Sequence, residues 1–85
     1  MIIRWDRRKS DWLKRARGVS FEDIIEAALI GAQEHPTRSN QNIHLFELND
    51  YIWIVPYVQR GEEIFLKTLY PSRKFTKKWT QGELS

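Results

Sequence analysis

The residues with chemistry to offer gather near the C-terminus, in Leu66–Trp79 (LKTLYPSRKFTKKW). Five cations stand there (Lys67, Arg73, Lys74, Lys77, Lys78) with two polar-tipped aromatics, Tyr70 and Trp79, and no acid. Cations interleaved with rings suit a partner that carries both phosphates and bases. Metal-independent RNA cleavage needs an activated 2′-OH, charge for the pentavalent phosphorane, and a proton for the leaving oxygen. Arg and Lys suit the second task, Arg through its bidentate fork on phosphate. Arg73 and Lys74 follow a strand end and Pro71, so they project from a turn, with Lys67 upstream as a third cation. Proton transfer falls to His44, to Tyr70, or to a lysine of lowered pKa. Lys77 and Lys78 read as phosphate grip, and Trp53 and Tyr57 as rings for stacking.

Other chemistries have little support. His35 and His44 are separated by a loop, and no carboxylate stands at ligand spacing with both, so no metal site is expected. No phosphate-binding loop, dinucleotide glycine pattern or nucleophile elbow is present, and no cofactor is expected. The bland reading of each cation is a solvated face, and of His44 a structural residue on a sheet.

The 85 residues make one domain, small enough that a protein partner or self-association as a homodimer would add stability. There are no cysteines, which excludes disulfides and thiolate metal sites. No apolar run approaches the roughly 20 residues of a membrane helix. Met1-Ile2-Ile3 leads straight into Arg4-Trp5-Asp6, without the apolar middle of a signal peptide, so a cytoplasmic protein with no membrane contact is expected. Net charge is +3, unevenly spread: +5 over residues 1–17, −4 over 18–34, −1 over 35–62 and +3 over 63–85. Two basic ends could form one basic surface if the fold joins them.

The elements that must position these residues follow in order. Ile2, Ile3 and Trp5 suggest a short strand. Asp6 can cap a helix running to about Arg15, with Trp12, Leu13 and Ala16 as its apolar stripe and Gly18 to end it. Ser20-Phe21-Glu22-Asp23 is a capping-box pattern. Phe21, Ile24, Ile25, Ala28 and Leu29 then recur at helical spacing, predicting an amphipathic helix of about ten residues that ends at Gly31. His35–Asn42 reads as a loop. Three strands follow, Asn42–Leu48, Tyr51–Val58 and Glu63–Tyr70, joined by turns at Asn49-Asp50 and Gln59–Glu62 as an antiparallel meander. Pro56 lacks a ladder donor and predicts a bulge or an edge. Ile52 and Ile54 with Ile64 and Leu66 are expected to cover the helices. Trp53, Tyr57 and Lys67 then fall on an opposite, aromatic face, which either meets a ligand or packs against residues 75–81 or a dimer partner. The fold class is therefore α+β, with two N-terminal helices on a three- to four-stranded antiparallel sheet and a short basic C-terminal helix.

Two stretches together resemble a family. Ile3-Arg4-Trp5-Asp6 and Arg17-Gly18-Val19-Ser20-Phe21-Glu22-Asp23 look like the N-terminal half of BrnT-type toxins, in which Trp-Asp and His-Gly-Val-Ser-Phe-Glu-Glu segments open the two helices. Tyr70–Lys77 is similar to their closing Ser-Ala-Arg-Lys-Ala-Thr-Lys segment. Arg73, Lys74 and Thr76 fall on the family's Arg-Lys-x-Thr positions, while Arg17 stands where many members have His. That departure moves an acid–base role elsewhere or leaves the position a phosphate contact. The middle of the chain matches less well. The resemblance implies a type II toxin with a RelE-like fold, its helices on one side of an antiparallel sheet, that arrests translation by RNA cleavage. It also implies neutralisation by a small antitoxin, in a hetero-oligomer that binds operator DNA through that antitoxin.

Overall fold

The computed structural model describes residues 2–34 and 41–83, so most of the loop expected from His35 lies outside the described residues. The chain begins with β1 (Ile2–Trp5), α1 (Arg7–Arg17), α2 (Phe21–Ile25) and β2 (Ala28–Glu34). β3 (Asn42–Leu48), β4 (Tyr51–Arg60), β5 (Glu63–Leu66), β6 (Tyr70–Pro71) and α3 (Arg73–Thr80) complete it. The strands form one sheet in the order β1-β5-β4-β3-β2, with β6 paired to β4 beyond the end of β5.

Local chemistry sets the first helices. The Asp6 carboxylate accepts from the backbone N–H of Arg8 at 2.8 Å, and α1 closes on Gly18 at φ 78°, a left-handed value that favours glycine. Ser20 and Asp23 form the reciprocal capping box. Trp12 departs from the expected stripe. It is 44% exposed, and the inward positions of α1 are Ser10 and Leu13.

α2 is shorter than its periodicity predicts. It stops at Ile25, and Ala28–Glu34 is a strand antiparallel to β3. Without β2, the outer edge of β3 would leave a row of backbone groups unpaired. Pairing from Ala28↔Glu47 to Glu34↔Asn42 satisfies them, which outweighs the weak preference of a short helix to lengthen. Gly31 serves the strand: the register shifts between Leu29 and Gly31, leaving Ile30 as the extra residue of a bulge.

The sheet is mixed rather than purely antiparallel, because β1 pairs parallel to β5, from Ile2↔Glu63 to Trp5↔Leu66. The β3–β4 hairpin turns through Asn49 and Asp50 at φ 55° and 64°, as a two-residue turn of this hand requires. The β4–β5 hairpin pairs Arg60 with Glu63, and hence Tyr57 with Leu66.

That register overturns the expected faces. Trp53, Val55 and Tyr57 share a core with Ile64 and Leu66, under Leu13, Val19, Phe21 and Ile24 of the α1/α2 layer. Ile52 and Ile54 point the other way with Ile43 and Leu45, beneath Phe75 and Trp79 of α3. Helices thus flank both faces rather than one. Trp53 and Tyr57 are core residues, 9% and 7% exposed, so the open aromatic face expected for them is absent.

The predicted third strand also breaks. Between the pairs Tyr57↔Leu66 and Ile54↔Tyr70, β4 advances three positions while its partner advances four. The extra residue lies in Lys67–Leu69, opposite Pro56. Lys67 N–H donates to the Pro56 carbonyl at 2.9 Å, which places the side of Pro56 that lacks an N–H toward this segment. The expected bulge is therefore in the partner strand, and the β3 ladder runs unbroken past Pro56↔Ile43. One extra residue reverses the alternation. Leu69 joins the α1/α2 core with Ile64 and Leu66, and Tyr70 turns to the α3 side.

Candidate nucleic-acid interface

α3 covers only part of its sheet face. Its first turn is capped by Ser72, whose hydroxyl accepts from Phe75 N–H at 3.1 Å. Thr76 fixes it to the sheet: its Oγ1 accepts from Ile52 N–H at 2.8 Å and donates to the Ser72 carbonyl at 2.6 Å. Phe75 and Trp79 then pack on Ile43, Leu45, Ile52 and Ile54. The rest of that face, built from β1, β5 and the far half of β4, is open.

Two hollows mark the open surface. One, of about 280 Å³, is lined by Arg4, Val58, Arg60, Glu63, Phe65 and Lys67. Its floor is Phe65, opposite Val58 on one side and Arg4 on the other, and 40% exposed. Lys67 Nζ lies 5.5 Å from the Phe65 ring centroid. The Arg4 guanidinium holds the Glu63 carboxylate at 2.8 Å. Both partners are about half exposed, so the pair adds at most about 1 kcal/mol to stability and stays available to a ligand. The second hollow runs along α3 past Ile54, Ser72, Lys74, Phe75 and Lys78 to Gln33, Glu34 and Glu83, with Lys78 Nζ 5.8 Å from the Phe75 centroid. Tyr70, half-buried and paired with Ile54, faces the same side. This face therefore carries two groups of cations, Arg4, Arg60 and Lys67 at the exposed Phe65 ring and Lys74 and Lys78 along α3 beside Glu34 and Glu83, able to hold phosphates and, at Phe65, to stack a base.

The sequence-predicted residues divide accordingly. Lys67, Tyr70, Lys74 and Lys78 share the face. Arg73 and Lys77, four apart, occupy the neighbouring flank of α3, both exposed. His44 points to the opposite side, its ring 4.1 Å from that of Tyr57, and burial pushes its pKa down. It is thus not gathered with the cations it was expected to serve. Trp53 and Tyr57 lie beneath the α1/α2 layer and offer no open ring. Arg17, at the end of α1, donates to the carbonyl of Leu69. Sequence reasoning missed Arg4, Arg60 and Phe65. The signal was present: a two-residue hairpin at Gly61-Glu62 sets Arg60 opposite Glu63, and so Val58 opposite Phe65.

The elements make an α+β chain with N-terminal helices, a mixed sheet and a C-terminal helix. The specific likeness is to the crystal structure of the Brucella abortus ribonuclease toxin BrnT, with a TM-score of 0.56 and 22% sequence identity over 85% of this chain and 96% of that one. At that identity the likeness is one of fold, and at that level the resemblance read from the sequence holds. No family model and no curated protein matches the chain. No helix among the described residues is long and apolar enough to cross a membrane.

Proposed function

We propose that the chain is the toxin of a type II toxin–antitoxin system, a metal-independent ribonuclease that arrests translation in the cytoplasm. The observation that supports this reading is the α3-side face, with Arg4, Arg60 and Lys67 at the exposed Phe65 ring and Lys74 and Lys78 along α3, on a BrnT-like fold. The reaction is attack of a ribose 2′-OH on its own 3′-phosphorus, with expulsion of the 5′-oxygen of the next nucleotide. It leaves a 2′,3′-cyclic phosphate and a free 5′-OH. Phe65 stacks one base. Lys67 and Lys74 hold the phosphate and offset the charge of the phosphorane, with Arg4 and Arg60 beside them. The Glu63 carboxylate, placed by Arg4, accepts the 2′-OH proton, and the Tyr70 hydroxyl supplies one to the leaving oxygen. Arg73, Lys77 and Arg17 grip flanking phosphates. A small antitoxin neutralises the protein by covering this face.

The test is cleavage of a labelled RNA in excess chelator by the wild type and by Lys67→Gln with Lys74→Gln. The wild type should yield cyclic-phosphate ends. The variant should be at least about 100-fold slower, since loss of one charge-stabilising group already costs that much. Equal rates would refute the site. A second reading, a module that binds RNA or the ribosome without cleaving, is favoured by one observation: no histidine lines either hollow among the described residues. It would show salt-dependent RNA affinity and no products.

A further inference from the structure

We propose that the outward face of α1 is a second RNA-contact surface, which takes the single strand as it leaves the groove. This rests on the reading of the open sheet face as an RNA site. α1 carries six cations (Arg7, Arg8, Lys9, Lys14, Arg15, Arg17) against one acid, Asp11. Its fully buried positions are Ser10 and Leu13, and Lys14 is engaged with Asp23 at 2.7 Å. Helical spacing puts Arg8, Trp12 and Arg15 along the opposite side.

The indole of Trp12 is 44% exposed, although this small core has rings to spare elsewhere. Lys9 Nζ lies 4.9 Å from its centroid and the Arg17 guanidinium 5.7 Å. An exposed indole flanked by cations offers a base a stacking surface and its phosphates two charges. An acidic peptide would need the cations but not the ring, so the observations favour nucleic acid.

The surface also connects with the groove. Arg17 donates to the Leu69 carbonyl, two residues after Lys67, which lines the hollow at Phe65. The hollow and the C-terminal end of α1 therefore approach one another at Lys67–Leu69, from opposite faces of the sheet. A strand too short to pass that segment contacts the groove alone, and a longer one reaches Trp12.

The test uses two uncleavable 2′-O-methyl oligouridylates, of about six and about twenty nucleotides, bracketing the site sizes usual for single-strand binders. Their affinities are read by fluorescence anisotropy over a salt series, for wild type, for Arg8→Gln/Trp12→Ala/Arg15→Gln, and for Lys67→Gln/Lys74→Gln. The α1 variant should bind the short probe as the wild type does. It should bind the long probe more weakly, by roughly five- to hundredfold from the lost stacking alone. Two lost phosphate contacts should also lower the salt slope for the long probe by about 1.4. The single exposed change Arg15→Glu, which leaves the buried residues of α1 untouched, should weaken only the long probe. Unchanged affinity and slope for the long probe would overturn the proposal, as would equal losses on both probes. Failure of the groove reading looks different: the Lys67/Lys74 variant would then match the wild type on the short probe.

Discussion

Replacing Ser10 by alanine tests how the two N-terminal helices are joined. Ser10 is fully buried, and its hydroxyl accepts from the backbone N–H of Phe21 at 2.9 Å while donating to the Glu22 carboxylate. Alanine leaves the Phe21 N–H buried without a partner, a loss of about 1–3 kcal/mol. Glu22 is exposed and regains water, so it adds little. The expected cost is about 2 kcal/mol, a fall of roughly 8–16 °C in Tm for a domain of this size. The dependence on acid gives a second readout. The Ser10 hydroxyl is the main influence holding the Glu22 carboxyl below its ordinary value near 4.5. A carboxyl whose folded pKa is depressed contributes stability above its unfolded pKa and loses it as pH falls through the folded one. Wild type should therefore lose stability below about pH 4.5 more steeply than Ser10→Ala. Urea unfolding followed by tryptophan fluorescence at neutral and acid pH measures both. A variant within about 0.5 kcal/mol of wild type at pH 7, with the same acid limb, would refute the reasoning.

Other outcomes follow from the same structure. Phe65→Ala, at a position 40% exposed, should cost about 1–2 kcal/mol and leave the chain folded, yet weaken RNA binding roughly five- to hundredfold, read by filter binding at fixed salt. Thr76→Val should cost about 1–2 kcal/mol, because the Ile52 N–H loses its acceptor, and should slow RNA cleavage as α3 loosens; thermal melts and a cleavage assay follow each. Gly18→Ala should cost about 1–2 kcal/mol by forcing a side chain into the left-handed region, measured by urea unfolding. Burial lowers the pKa of His44, so the unfolded chain binds its proton first and stability falls as pH drops below about 6.5. His44→Phe, which keeps a ring against Tyr57, should remove that part of the pH dependence in a melting series.

Much of this architecture was legible in the residues. Asp6, Gly18 and the Ser20/Asp23 box set the starts of α1 and α2 and the end of α1 through local hydrogen bonds, which depend on sequence neighbours alone. Branched and aromatic residues between turn signals located β3 and β4. What failed was non-local. Ala28 and Leu29 read as the last turn of a helix ending at Gly31 by their own spacing, and belong to the strand Ala28–Glu34 because β3 has an edge to satisfy. β1 pairs with β5 from the far end of the chain, a contact that no local pattern announces. Trp53 and Tyr57 fall on the expected open face because Tyr51–Val58 is apolar on both sides, and alternation alone does not choose which side meets the helices. Lys67, Lys74, Lys78 and Tyr70 share one face; Arg4 lies too far away in sequence to be recognised with them, and Arg60, seven residues before Lys67, joins them only once the hairpin register is drawn.

The detour opposite Pro56 has a consequence for which changes this chain can accept. Tyr70 packs on the α3 side, and Leu69 on the α1/α2 side, because Lys67–Leu69 holds one residue more than a regular ladder would. Count, rather than chemical identity, fixes that outcome. Substitutions at Thr68 leave the tally intact, whereas deleting a single position there would swap Leu69 and Tyr70 between oil and water and move the start of α3 to the wrong side. Variation in this stretch should therefore run to exchanges of side chain and avoid changes of length, the reverse of what surface connections ordinarily tolerate.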